Sequence, residues 1–285
     1  MTQVKRRFVY HMWVPDNIAD NQKNVIKCHI FCMKRYVEWF DDVIIVLAYD
    51  NNIEAANKLK KIFIDVFNKD DQSLTFKTVK NTEFREASTA YQYLYSMNDM
   101  YNGITFFGHS KGLNNIIQDS LKNKTSCFST FENISEWICA LYYFSLNFKE
   151  ETAKALCGTK CYYGPLLVYT LSNNAWIYSG AFYWVNQENL FNTCKNIYCT
   201  SKFLKQSSKT TAETMPNNLI LNLNFYYITS HNNFYIPINP GNEIDFYKNV
   251  DFAVKQCSGS EEDYNNFIDF YNSILEEIKI YDLDI

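Results

Sequence analysis

The chain has 285 residues, of which 47% are hydrophobic and 17% aromatic, and its formal net charge at pH 7 is −4. This length accommodates one large domain or two small ones, with a substantial core. The acidic balance lacks the basic footprint on which non-specific nucleic-acid binding depends. The nine cysteines are irregularly spaced. Although Cys28 and Cys32 lie one helical turn apart, they do not form the paired knuckles of a zinc site, and we interpret the cysteines as buried, reduced thiols.

The first 110 residues alternate between strand and helix patterns. Strands are predicted over residues 7–14, 42–50, 74–79 and 103–107, and helices over residues 20–40, 53–67 and 82–97. The second strand is a continuous apolar run, which is typical of a parallel strand covered on both faces. This alternation predicts a doubly wound α/β unit with a mostly parallel sheet, in which ligands bind beyond the carboxyl ends of the strands. A Gly-x-Gly-x-x-Gly motif does not follow the first strand, which argues against a standard dinucleotide fold.

The second half of the chain is less regular. Helices are predicted over residues 135–144, 149–156, 187–194, 211–224 and 263–280, and strands over residues 166–171, 176–185, 225–228 and 234–238. The sequence contains neither an internal repeat nor a long linker. We therefore predict one α/β domain over residues 1–245, with a C-terminal helical extension over residues 246–285 packed on it.

The N-terminus enters the first strand without the apolar segment of a signal peptide, and no stretch of about 18 or more apolar residues occurs. We expect a cytoplasmic protein without a transmembrane segment, which leaves only peripheral membrane contact open.

The end of the fourth strand, Gly108-His109-Ser110-Lys111-Gly112, fits two classes of enzyme. It matches the Gly-x-Ser-x-Gly nucleophile elbow of serine hydrolases, in which Ser110 would attack the substrate. The triad would then require His231, which is the only later histidine, and an acid such as Glu188 or Glu213. However, the upstream sequence offers no His-Gly or Gly-Gly loop for an oxyanion hole.

The second interpretation draws on motifs along two-thirds of the chain. These are residues 109–112, the aromatic helix with Trp137, Gly164 in Tyr-Tyr-Gly-Pro, and Ser-Gly-Ala-Phe-Tyr-Trp over residues 179–184. In this order they resemble a group of GT-A-type glycosyltransferases from polysaccharide loci and large DNA viruses. Those proteins carry His-(Thr/Ser)-Lys-Gly after a strand and a segment like Gly-Asn-Phe-Trp-Trp some 70 residues later. Here Ala181 and Tyr183 depart from the second motif.

The resemblance implies a GT-A-like, Rossmann-like fold and a nucleotide-sugar donor, with a UDP- or GDP-sugar as the expected class. The acceptor would be a glycan or another hydroxyl compound. The residues expected to contact the donor are Asp50, Arg85, Glu86, His109, Ser110, Lys111, Gly112, Gly180 and Trp184.

The expected catalytic groups are Glu213 as general base, Asp119 as the second choice, and His109 at the diphosphate. GT-A enzymes usually place Asp-x-Asp at the end of the fourth strand to hold a divalent cation. This chain has His109, Ser110 and Lys111 there, so Lys111 is expected to neutralise the diphosphate directly, and a requirement for Mn²⁺ or Mg²⁺ stays open. Because the chain lacks the Asp-x-Asp pair at this position, a second class of protein also stays open: a non-catalytic protein that has the same fold and binds sugars or nucleotides.

Overall fold

A computed structural model describes residues 4–67, 74–82, 85–96, 100–113, 131–165, 167–170, 175–193, 228–230, 235–238, 254–255 and 257–282. The strands are β1 (Arg6–Val14), β2 (Asp42–Tyr49), β3 (Leu74–Lys80), β4 (Ile104–His109), β5 (Tyr162–Gly164), β6 (Leu167–Thr170), β7 (Ala175–Tyr178), β8 (Tyr183–Asn186), β9 (Ile228–Ser230) and β10 (Tyr235–Ile238). The α-helices are α1 (Asp20–Lys34), α2 (Ile53–Phe67), α3 (Arg85–Ala90), α4 (Phe131–Leu146), α5 (Lys149–Cys157), α6 (Gln187–Thr193) and α7 (Glu261–Ile280).

Seven strands form one sheet in the order β3-β2-β1-β4-β8-β5-β9. The first four strands are parallel, and β8 runs antiparallel to its neighbours β4 and β5. Three further strands form a small sheet in the order β10-β6-β7. The predicted fold class, a mostly parallel Rossmann-like sheet flanked by helices, is confirmed.

The large sheet has a hydrophobic core on each face because the side chains of β1 alternate between them. Phe8, Tyr10 and Met12 pack into the larger core together with α1, α4 and α7, whereas Val9 packs into the smaller core on the opposite face. The apolar run of β2 is buried from Val43 to Ala48, as expected of a strand that is covered on both sides.

Helix α7 packs on α1 and α4. It begins at Glu261, where the Ser260 hydroxyl accepts a hydrogen bond from the Asp263 backbone N–H, and Glu277 near its end pairs with Arg35, which directly follows α1. Along the described residues, no helix has both the length and the apolar character that a bilayer span requires.

Several predicted boundaries differ from the observed ones. The first helix ends at Lys34 and gives way to a short 3₁₀ segment (Val37–Trp39), and the predicted helix over residues 82–97 is the short α3 followed by a π-helical segment (Tyr91–Tyr95). The strand predicted over residues 176–185 is wrong, because a 3₁₀ turn (Ser179–Ala181) divides it into β7 and β8, which belong to different sheets. The helix predicted over residues 211–224 lies outside the described residues.

Gly180 causes this division. Its φ of +82° lies in the left-handed region that favours glycine. A Cβ atom there would also come within 2.7 Å of the Leu141 side chain on α4. The chain therefore turns at Gly180, leaves the small sheet and enters the large one.

Candidate functional site

A cleft of about 300 Å³ lies where the first four strands end. The residues that line it are His11, Trp13, Asp50, Asn81, Arg85, Glu86, His109, Ser110, Lys111 and Gly112. They come from the carboxyl ends of β1 and β4, from the residues just after β2 and β3, and from the start of α3. This is the edge of a parallel sheet at which ligands usually bind.

The structure brings seven of the nine predicted donor-contact residues to this cleft. The seven are Asp50, Arg85, Glu86, His109, Ser110, Lys111 and Gly112. His109 was also predicted to act in catalysis. The structure thus assembles the predicted set, and what the set binds stays a prediction.

Gly180 and Trp184 do not lie in the cleft. Trp184 is 3% exposed, its ring stacks on Phe40, and its indole N–H donates to the Ser145 carbonyl over 2.7 Å. Gly180 packs against Leu141. Both residues belong to the core, and Phe182 is fully buried there as well. The two predicted carboxylate bases, Glu213 and Asp119, lie outside the described residues.

The Asp50 carboxylate is held in a fixed position at the end of β2. One of its oxygens accepts a hydrogen bond from the Trp13 indole over 3.0 Å, and the other accepts from the Asn81 amide over 2.9 Å. Each oxygen retains a further lone pair for a ligand hydroxyl.

The turn after β4 is anchored on three sides. The Ser110 backbone N–H donates to the His11 carbonyl, and the Ser110 hydroxyl accepts from the Trp13 N–H over 3.0 Å. The buried His29 ring on α1 donates a hydrogen bond from Nε2 to the Lys111 carbonyl over 2.9 Å. Gly112 completes the turn with a φ of +93°, and a Cβ there would meet Ile134 at 2.6 Å. These contacts fix the backbone from which the Lys111 side chain extends.

His29 therefore positions the backbone of this turn. Because a carbonyl can only accept, Nε2 carries the ring proton, and Nδ1 accepts from the Tyr142 hydroxyl over 3.3 Å. Burial lowers the pKa of His29 to about 3, which keeps the ring neutral near pH 7.

Two histidines stand side by side on adjacent strands, since His11 of β1 is in register with His109 of β4. His11 is 3% exposed, and its Nδ1 lies 2.8 Å from the Thr89 hydroxyl. Burial lowers the pKa of His11 to about 4; the nearby Glu86 carboxylate opposes this shift and His109 adds to it. His11 is accordingly neutral at physiological pH.

Within the described part of the chain, Nε2 of His11 and Oδ1 of Asn81 are buried atoms of the cleft that lack a hydrogen-bond partner. Native structures leave few such groups unsatisfied, so each requires an explanation. Both residues line the cleft, where a water molecule or a polar ligand can supply the missing partner.

Arg85 has an unusual backbone conformation for a residue that is not glycine, with a φ of +46°. Its N–H donates to the Thr82 carbonyl over 3.0 Å, so that it closes a turn at the start of α3. Backbone strain of this kind concentrates at functional sites. The lining of the cleft includes two basic side chains, Arg85 and Lys111, and two carboxylates, Asp50 and Glu86.

The structure does not support the nucleophile elbow. That motif needs a strained turn at the serine, whereas the positive φ angles of this segment occur at Gly112 and not at Ser110. Ser110 is also only 8% exposed, and its hydroxyl already accepts a backbone hydrogen bond. His231, the histidine such a triad would need, lies outside the described residues.

Sequence reasoning missed His11, Trp13 and Asn81 as cleft residues. Asn81 directly follows β3 but was not among the predicted donor contacts. His11 was not singled out, and its signal was a polar side chain near the end of an otherwise apolar strand. Among the described residues, the three metal-ligating groups that cluster within 4.8 Å are Cys28, Cys32 and Cys139, which lie away from the cleft.

Comparisons with known proteins identify no relative by sequence. No protein-family model matches the chain, and no curated protein matches it. A solved structure with a similar arrangement is "4-diphosphocytidyl-2C-methyl-D-erythritolsynthase" from Anaerococcus prevotii DSM 20548. That match has a TM-score of 0.40 and 8% sequence identity, and it covers 95% of this chain and 99% of the other.

Proposed function

We propose that this protein is a glycosyltransferase that uses a nucleotide-activated sugar, with the donor bound in the cleft at the strand ends. The observation that supports this most is the combination of Arg85 and Lys111 with the anchored Asp50 carboxylate in one cleft. A nucleotide sugar presents an anionic diphosphate between two polyhydroxylated rings. Cationic side chains suit the first feature, and carboxylate acceptors suit the second.

In the proposed reaction, an acceptor hydroxyl attacks the anomeric carbon of the donor while the bond from that carbon to the diphosphate breaks. Negative charge develops on the leaving nucleoside diphosphate, where the Lys111 ammonium group would stabilise it. The proton of the acceptor hydroxyl passes to a base, for which Glu213 is the first candidate and Asp119 the second. Among the described groups of the cleft, the carboxylates of Asp50 and Glu86 and the imidazoles of His11 and His109 can also accept a proton.

Thermal unfolding in the presence of UDP-, GDP- and CMP-sugars, each with and without Mn²⁺, tests donor binding. We expect a rise of a few degrees in Tm with the correct nucleotide, since a ligand that binds only the folded state stabilises it. Lys111→Ala should reduce this rise, while Lys61→Ala, on the exposed surface of α2, should preserve it. Absence of a shift with every donor would contradict the proposal.

Turnover separates a transferase from a protein that only binds. Glu213→Gln should lower the rate of sugar transfer and leave the donor-induced Tm shift unchanged, because the amide keeps the shape of the side chain but cannot take a proton. Unchanged turnover would exclude Glu213 as the base. Donor binding without transfer to any acceptor would instead favour the non-catalytic sugar- or nucleotide-binding protein.

A further inference from the structure

Three cysteine thiols meet in the core between α1 and α4, away from the cleft. Cys28 and Cys32 lie one turn apart on α1, and Cys139 faces them from α4. The Sγ atom of Cys139 lies 3.8 Å from that of Cys28 and 3.6 Å from that of Cys32. All three residues are fully buried.

The triangle of sulfur atoms has the size of a metal site. With two sides of 3.8 and 3.6 Å and the third no longer than 4.8 Å, a point equidistant from the three sulfurs lies about 2.1–2.4 Å from each of them. Metal–thiolate bonds are about 2.3 Å long for zinc. An ion at this point would therefore bond to all three sulfurs without a movement of either helix.

The number of available ligands indicates which metal ion the site would bind. Within the described residues, no fourth His, Cys, Asp or Glu joins the group. Structural zinc sites are almost always four-coordinate, whereas soft thiolate ligands select Cu(I) as well as zinc. Cu(I) has a filled d shell, imposes no preferred geometry and accepts three ligands in a plane. We propose that Cys28, Cys32 and Cys139 form a three-coordinate site for Cu(I).

Binding at this site is an exchange of protons for the metal ion. Each thiol gives up its proton when it becomes a metal ligand. As Cu(I) forms its bonds to sulfur, the displaced protons pass to the solvent, and no electron is transferred because the copper enters as Cu(I).

The position of the site suggests a structural role. A bound ion would join α1 to α4 beneath α7, whose Tyr271 hydroxyl lies 3.2 Å from the Ser135 hydroxyl, one turn before Cys139. An ion that binds only the folded chain adds to its stability in proportion to the logarithm of the ion concentration. This role does not depend on the proposed glycosyl transfer.

The test is a competition for Cu(I) under anaerobic, reducing conditions. The metal-free chain is titrated into a coloured Cu(I) complex of bicinchoninate, and the loss of colour measures the copper transferred. We expect one equivalent of copper per chain, with a rise in Tm. X-ray absorption should show three sulfur neighbours at about the 2.3 Å typical of metal–thiolate bonds. If no copper is transferred, or if fewer than three sulfurs surround it, the proposal fails.

Variants of single cysteines test whether copper binds at these three residues. Cys139→Ala should lower the affinity for copper at least tenfold, and the matched variant Cys257→Ala, which removes a fully buried thiol outside the cluster, should retain one equivalent. Near-UV circular dichroism establishes that each variant is folded, and Cys139→Ser replaces Cys139→Ala if the alanine variant is not. Full copper binding by a folded Cys139 variant would overturn the assignment. Tighter binding of Zn²⁺ with a fourth ligand would overturn the choice of copper.

Discussion

Individual residues of the cleft were predictable where their position followed from a strand end. Asp50, His109 and Lys111 come directly after apolar runs, and chemistry at the carboxyl ends of parallel strands is a general rule. Trp184 was misassigned because an aromatic residue on a strand has the same pattern whether it stacks on a sugar or fills a core. His11 was missed because it lies within a strand, where only the three-dimensional register reveals that it borders the cleft.

Arg85 offers a prediction that separates binding from stability. Arg85→Gly and Arg85→Ala both remove the guanidinium group, so both should weaken donor binding about tenfold or more. Only glycine relieves the positive φ of this position, and we expect Arg85→Gly to be more stable than Arg85→Ala by about 1 kcal/mol. Urea unfolding and donor titration of the two variants measure these effects. Equal donor affinity in Arg85→Ala and the parent chain would show that the side chain has no role in the cleft.

Trp184, unlike Arg85, is expected to affect stability and not donor binding. Trp184→Phe removes the donor of the hydrogen bond to the Ser145 carbonyl and leaves a gap beside Phe40. We expect a loss of roughly 2–4 kcal/mol in the free energy of unfolding, with unchanged donor affinity in the chain that remains folded. Chemical denaturation together with a donor titration at low temperature distinguishes the two effects. A selective loss of donor binding would return Trp184 to the site.

At the scale of elements, the sequence predicted the alternating strands and helices of the first half well. Helix α2, for example, has its predicted bounds, because its apolar residues repeat at helical spacing between clear boundaries. The second half was predicted less well. Residues 176–185 were predicted to form one strand, because an isolated glycine in an apolar run does not indicate whether the strand continues or turns. The short strand β5 was recognised only as part of a motif.

The turn after β4 should depend on Gly112. Gly112→Ala would place a Cβ atom in a left-handed conformation and against Ile134, at an expected cost of about 1–3 kcal/mol in the free energy of unfolding. Because the turn carries Lys111, donor affinity should fall as well. Gly158→Ala is the matched control, since a Cβ there would meet its neighbours at ordinary distances of 3.5–3.6 Å. Equal stability of the two variants, measured by urea unfolding, would contradict the role of Gly112.

The whole molecule should lose stability in mild acid because of its two buried, neutral histidines. The folded-state pKa values of His11 and His29 are about 4 and about 3, below the unfolded value of about 6.5. The unfolded chain therefore binds more protons between pH 6.5 and 4, and the free energy of unfolding falls as the pH falls through that window. Each histidine contributes a slope of about 1.4 kcal/mol per pH unit where its protonation differs between the two states.

Urea unfolding at pH 7, 6 and 5 measures this slope, and His29→Gln is the informative variant. Glutamine keeps an N–H donor that can reach the Lys111 carbonyl but cannot titrate. Between pH 7 and 5, the free energy of unfolding of the variant should fall less than that of the parent chain. The difference should correspond to the protonation of one histidine on unfolding. An identical pH dependence would mean that His29 does not titrate on unfolding.

The antiparallel strand β8 sets the order in which the large sheet can be completed. The outer edge of β4 pairs with β8, where Phe106 meets Trp184 and Phe107 meets Tyr183. A chain that leaves the ribosome from its N-terminus can pair its first four strands early, but β4 then presents an open apolar edge until residues 183–186 have been made. Open edges of this kind are templates for aggregation. A nascent chain that contains β4 but not yet residues 183–186 is thus the form most in need of protection from aggregation in the cell. In the finished sheet, pairing with β8 covers this edge of β4.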